Sequence, residues 1–173
     1  MGLRFKVVQP VGVEEVNAGA APDVLAIQNA QHKARAVAGR HPDEMVIGAD
    51  TVVVLDGTIF GKPDDHTEAV RMLEQLAGHQ HEVITGVCLL HRWLDTELTF
   101  ADTTRVWMRP LTKAQIQDYL SKVNPLDKAG AYAIQEHGAG IVEHIEGSYD
   151  NVMGLPTERL RATFQRIGMV NCG

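Results

Sequence analysis

Residues 45–60, MVIGADTVVVLDGTIF, set two β-branched runs, Val46-Ile47 and Thr51 to Val54, around Gly48-Ala49-Asp50, then close with Asp56-Gly57 ahead of Thr58-Ile59-Phe60. An Asp-Gly pair between apolar runs predicts a two-residue hairpin turn. The long apolar run predicts a strand buried on both faces, and Asp50 interrupts it. A carboxylate in such a place must be hydrogen-bonded, paired or metal-bound, because an unpaired buried charge costs several kcal/mol. Gly48 beside it marks close approach of backbone or ligand. Two readings of Asp50 stand: a functional carboxylate, or a structural one paired with an arginine or capping a bulge.

Upstream, Phe5–Val8 reads as a short strand, residues 9–21 as a loop, and residues 23–38 as a helix with Asp23 as N-cap and Gly39 as its stop. The apolar stripe assigned to that helix is Val24, Ile27, Ala30, Ala34 and Val37. Downstream, Asp65 and Glu68 form a capping-box pattern for a helix over Thr67–Leu76. Glu82–Leu90 and Leu98–Met108 read as long strands, and Thr112 and Gln115 cap another helix. A Gly-rich stretch follows from Pro125 to Gly154, with a short strand at 140–142, and Pro156 opens a last helix through Ile167. The sum is an α/β (mixed α+β) domain over residues 1–173, a mixed sheet flanked by four helices.

The 173 residues suffice for a substantial core. A net charge of -6 speaks against an extended nucleic-acid surface, which needs clustered Lys and Arg. Cys88 and Cys172 form neither a disulfide framework nor a metal-ligand spacing, which points to a reducing compartment. No apolar stretch approaches the roughly 20 residues needed to span a bilayer, and the N-terminus has no signal-peptide core. The expectation is a cytoplasmic protein with no membrane partner.

Several other residues could carry chemistry. Lys33 lies at the edge of its helix's apolar stripe, where a lysine ordinarily snorkels. Lys62 sits on the stiff Gly61-Lys62-Pro63 turn, suited to a phosphate but also an ordinary surface position. Glu14 and Glu15 are either metal ligands or a solvated acidic pair. Asp127-Lys128-Ala129-Gly130-Ala131-Tyr132 and Gln135 make a dense loop of the kind that carries function on a scaffold, and the Gln135 amide can match a base edge. The eight histidines show no helical zinc pair, and nucleophile-elbow, Walker and dinucleotide-binding glycine motifs are absent.

Together these segments are more specific than singly. KARAVA at 33–38, VIGADTVVVLDGTIFGKPDD at 46–65, MLxxLxGxxHEVITGV at 72–87, PLDKAGAYAIQ at 125–135 and IEGSYDNVMGLP at 145–156 resemble the Maf proteins, in the family's order and spacing. The resemblance implies a two-lobed mixed sheet around a nucleotide cleft, similar to the inosine-triphosphate pyrophosphatases. It implies hydrolysis of a nucleoside triphosphate to monophosphate and pyrophosphate with a divalent metal, Mg²⁺ or Mn²⁺. Asp50 matches the family's proton acceptor, Lys33 and Lys62 its phosphate-binding lysines, Thr51 and Gln135 its specificity positions, and Glu15, with Asp50, an acidic metal site. The AYAIQ loop is similar to the branch acting on dTTP and UTP. The expected partner is the triphosphate and no nucleic-acid polymer, and a homodimer is compatible with it.

Two departures accompany the resemblance. The family opens with an apolar strand and a Ser-x-Ser-Pro-Arg-Arg segment that has no counterpart here, and His32 stands where a Glu normally precedes the helix lysine. Without the serine and arginines a weaker phosphate site is expected. That leaves a second reading beside the active pyrophosphatase: a catalytically weak nucleotide-binding regulator.

Overall fold

The computed structural model describes residues 4–13 and 19–169. After an irregular segment come helix α1 (Pro22–Ala38), strands β1 (Val46–Leu55) and β2 (Thr58–Phe60), helix α2 (His66–Leu76), and strands β3 (Gln80–His91) and β4 (Thr96–Met108). Helix α3 (Lys113–Leu120) leads to a loop with two short 3₁₀ turns, then strand β5 (Val142–Glu146), the single-turn helix α4 (Tyr149–Val152) and helix α5 (Thr157–Arg166).

The five strands lie in the order β2-β1-β3-β4-β5. All four pairings are antiparallel, which corrects the expected mixed sheet. The cause is local: β1–β2 and β3–β4 close through tight turns, and α2 returns the chain beside β1 in the opposite sense. At the first turn Asp56 and Gly57 both take positive φ, 49° and 78°, as the Asp-Gly signal requires. The α/β class with helices around the sheet is as expected.

Helix α1 fills one face. Gly48 on β1 and Gly86 on β3 leave no room for side chains: a methyl on Gly48 would drive into the Ala30 carbonyl and stand 2.9 Å from Ala34 Cβ, and one on Gly86 would strike the Ala26 backbone. The helix therefore meets the sheet through small residues, burying Ala26, Asn29, Ala30, Ala34 and Ala38. Ala30, Ala34 and Val37 of the expected stripe are buried, whereas Val24 is exposed.

The other face carries two apolar clusters. One packs Val53, Val83 and Val106 against Leu73 and Leu76 of α2 and Ile116 of α3. The second packs Val87 and Leu89 against Leu160 and Phe164 of α5. Between them, on alternate positions of β3, lies Thr85.

Some expectations shift. Phe5–Val8 is not a strand among the described residues: only Val8 reaches an apolar cluster, while Lys6 ties the segment down by an ion pair to Glu44 at 2.6 Å. Helix α1 is capped at Ala21 with Pro22 in the first turn, not at Asp23. The strand expected at 140–142 begins at Val142, and α4, capped by the Ser148 side chain, is a fifth α-helix beyond the four expected. Asp65 and Thr112 cap α2 and α3 as read.

Candidate active site

Strand β2 pairs with β1 only at Val53–Leu55, so the β1 edge at Ala49–Thr51 opens onto a cleft of about 290 Å³. Lys33, Asp50, Thr51, Lys62 and Gln135 all line it, together with Asp127, Lys128, Tyr132, Met153 and Gly154. Residues from five separate sequence segments thus converge on one opening.

Asp50 is 8% exposed and faces α1. Its Oδ1 is paired with the Lys33 ammonium, and its Oδ2 accepts from the buried Asn29 amide at 3.2 Å. Asn29 and Lys33 are four residues apart on the helix and so project from one face. The close seating allowed by Gly48 and Gly86 brings that face to the carboxylate. Lys33, read from its stripe as a snorkelling residue, instead points inward and is only 22% exposed.

Thr51 points the other way. Its hydroxyl meets that of Thr85 at 2.9 Å, and Thr85 in turn donates to the Asn151 carbonyl at 3.0 Å. The far wall is the loop running from Asp127 to Gln135. It is tied to the Lys62 turn by Gly130 N–H donating to the Gly61 carbonyl at 3.0 Å, and to β3 by Tyr132, whose hydroxyl lies 2.7 Å from His81 Nε2. Burial drives the His81 imidazolium down to about 4, so this pair is neutral at physiological pH.

Lys128 adds a third ammonium to the cleft. It contacts Asp127 at 2.9 Å and Glu136 at 3.2 Å, with 16% of its side chain exposed. Burial alone would pull its pKa down, but hydrogen bonds and charge from those two carboxylates leave it raised. Sequence reasoning placed Lys128 in a functional loop without giving it a role. It missed Asn29 altogether, although the spacing from Lys33 was available as a signal.

Glu15 lies outside the described residues, as does Cys172. Among the described residues no group of three or more His, Cys, Asp or Glu is placed to hold a metal ion. Among the described residues, the carboxylates lining the cleft are Asp50 and Asp127. Mg²⁺ commonly takes one or two carboxylates plus substrate phosphates and water, so this donor set fits a metal arriving with a triphosphate rather than a preformed cage.

A family model described as Maf-like protein matches residues 1–167. The chain belongs to the Maf-like family. Among its relatives in that family, the dTTP/UTP pyrophosphatase of Koribacter versatilis (strain Ellin345) is 44% identical over 164 residues, covering 94% of this chain and 84% of that protein. The dTTP/UTP pyrophosphatase of Carboxydothermus hydrogenoformans is 45% identical over 157 residues, 91% of this Maf-like chain and 84% of its relative. That of Geobacter metallireducens is 46% identical over 155 residues, with shares of 90% and 81%. No helix among the described residues of the Maf-like chain is long and apolar enough to cross a membrane.

Proposed function

We propose that this chain is a nucleoside-triphosphate pyrophosphatase acting on dTTP and UTP, with water attacking the α-phosphorus and pyrophosphate leaving. The observation that carries the reading is the buried Asp50 carboxylate, fixed from two sides by Lys33 and Asn29 at the mouth of a cleft with three ammonium groups. Relatives named for this activity at 44–46% identity support the same reading.

Asp50 orients the attacking water and takes its proton. Such general-base help typically contributes about 10²–10⁴-fold, given the right distance. The Asn29 amide holds Oδ2, which fixes the carboxylate plane. Lys33, Lys62 and Lys128 surround the triphosphate and offset charge that grows on its oxygens in the transition state. A divalent cation, Mg²⁺ or Mn²⁺, bound by the phosphates with Asp50 as protein ligand, and Glu15 as a second by family resemblance, would supply further charge neutralisation and alignment. Thr51 and Gln135, across the cleft, face the base. An intact carboxylate with both of its partners favours turnover over a role confined to nucleotide binding.

We place the protein in the cytoplasm, where the buried Cys88 thiol, pushed by burial up to about 12, stays protonated and inert. A homodimer is the assembly to look for by light scattering.

The test is pyrophosphate release from dTTP, UTP, CTP, GTP and 7-methyl-GTP with Mg²⁺ and with Mn²⁺, for the parent and Asp50→Asn. Asp50→Asn should abolish release while nucleotide binding stays within about tenfold, or roughly 1.4 kcal/mol. Mutant turnover within a few-fold of the parent would remove Asp50 from the catalytic role, and a screen led by 7-methyl-GTP would overturn the substrate assignment.

A further inference from the structure

The hydroxyl chain behind Thr51 has a direction. Asn151 is fully buried and pinned: its Nδ2 donates to the Val83 carbonyl and to Thr104 Oγ1, both at 3.0 Å, and its backbone N–H donates to Ser148 Oγ at 3.2 Å. Its own carbonyl is thereby fixed in space, and it lies 3.0 Å from Thr85 Oγ1. A carbonyl only accepts, so the single proton of the fully buried Thr85 hydroxyl is committed to it. The 2.9 Å contact between Thr85 Oγ1 and Thr51 Oγ1 then has one consistent polarity: Thr51 donates and Thr85 accepts. That uses the only proton of Thr51. What Thr51 presents to the cleft is lone pairs. Room for a ligand atom beside them is left by Gly154, where a methyl would stand 3.5 Å from Thr51 Oγ1 in a backbone conformation with φ of 100°.

We infer that Thr85 is a positioning residue that fixes the Thr51 hydroxyl as an acceptor, so that the cleft selects a base bearing an N–H donor at the Thr51 position. This rests on the proposed function, in which Thr51 and Gln135 meet the base. Uracil and thymine carry a donor at N3, between two carbonyls; cytosine carries an acceptor there. Gln135 cannot make the distinction by itself, because an exposed amide can turn either its N–H₂ or its C=O toward the base. The relay can, because reversing it would set the lone pairs of Thr85 Oγ1 and the Asn151 carbonyl against each other at 3.0 Å with no proton between them. Guanine also has a donor, N1–H, so the contrast that isolates the relay is between UTP and CTP, rings of equal size.

The experiment compares kcat/KM for UTP and CTP in the parent, Thr85→Val and Thr85→Ser. Valine keeps the shape and removes the proton and acceptor, freeing Thr51 to donate; serine keeps both. The UTP:CTP ratio should fall at least tenfold in Thr85→Val and stay within threefold of the parent in Thr85→Ser. Because valine removes one of the hydrogen bonds to the buried Asn151 carbonyl, leaving that from the Gly154 N–H at 2.9 Å, and could destabilise the protein, a second arm needs no variant. The parent should turn over 3-deaza-UTP, which has C–H in place of N3–H, at least tenfold less efficiently than UTP, since a site built around a donor discriminates strongly against its loss. A folded Thr85→Val with the parent ratio would overturn the relay, as would a Thr85→Ser ratio as low as that of valine, or 3-deaza-UTP used as well as UTP. A parent with no preference for UTP over CTP would sink the substrate reading and the relay together.

Discussion

Asp50 and Thr51 are neighbours in one strand, yet the pleat sends their side chains to opposite faces of the sheet. On the Asp50 face the partners are an ammonium and an amide from α1, and the first of these interactions is between full charges. On the Thr51 face the partners are neutral: two hydroxyls, a backbone carbonyl and, two strand positions either way along β3, apolar clusters. A charge pair attracts from any direction, which suits phosphates that move and gain charge during reaction. A hydroxyl relay has a fixed polarity and suits the reading of a base. One peptide bond separates the two jobs, so changes on one face should leave the other's signature intact.

The largest effect is expected where both faces depend on helix seating. Gly86→Ala puts a methyl into the Ala26 backbone, which no rotamer change can relieve. Overpacking of this kind costs about 3 kcal/mol, or on the order of 10 °C in melting temperature for a chain of this size. It should also lift Asn29 and Lys33 from Asp50 and lower turnover of every nucleotide. Gly140→Ala, with open space around it, serves as the control and should stay within about 0.5 kcal/mol. Thermal melts that match for the two variants would show that α1 does not need its close seat.

Lys33→Met comes next. It leaves the Asp50 carboxylate with the Asn29 amide but without its cation, and removes a phosphate contact. We expect kcat/KM to fall about 10²-fold, or roughly 2.7 kcal/mol, equally for UTP and CTP. Steady-state kinetics on both substrates would break the comparison if the ratio shifted as it should in Thr85→Val.

The two faces also differed in how far the sequence revealed them. Asp50 was conspicuous because a charge inside an apolar strand is costly, and its placement in a cleft with Lys33, Lys62 and Gln135 follows from segments whose types and order could be read. The hairpin at Asp56-Gly57 and the caps at Asp65 and Thr112 were legible for the same reason: local chemistry decides them. The hydroxyl relay was not, since Thr85 and Asn151 are 66 residues apart and a threonine in a strand is ordinary. The antiparallel sheet was misread because strand direction is set by how α2 returns the chain, not by any residue in the strands. The buried face of α1 was read correctly at Ala30, Ala34 and Val37 but not at Val24, and Ala26 and Asn29, which pack where Gly48 and Gly86 leave room, were left out of it.

The smallest effect is a pH dependence on the neutral face. His81 is buried beneath the Tyr132 hydroxyl, and desolvation lowers its pKa from 6.5 to about 4. Above pH 6.5 the imidazole is neutral in both folded and unfolded chains, and its contribution to stability is fully present. As pH falls below that value the unfolded chain takes up a proton that the folded protein refuses until about pH 4, so folding is progressively penalised. Each pH unit in that window is worth about 1.4 kcal/mol, and the loss between pH 7.5 and pH 5 should be about 2 kcal/mol from this group. The paired comparison with a variant at position 81 isolates this histidine from the other groups of the chain. Urea unfolding at the two pH values should show the loss in the parent and not in His81→Gln, whatever the absolute stability of the variant. Tyr132 lines the cleft beside Gln135, so protonation of His81 in the folded protein, near pH 4, would loosen the wall that faces the base. An equal loss in parent and variant would mean that His81 is not the titrating group.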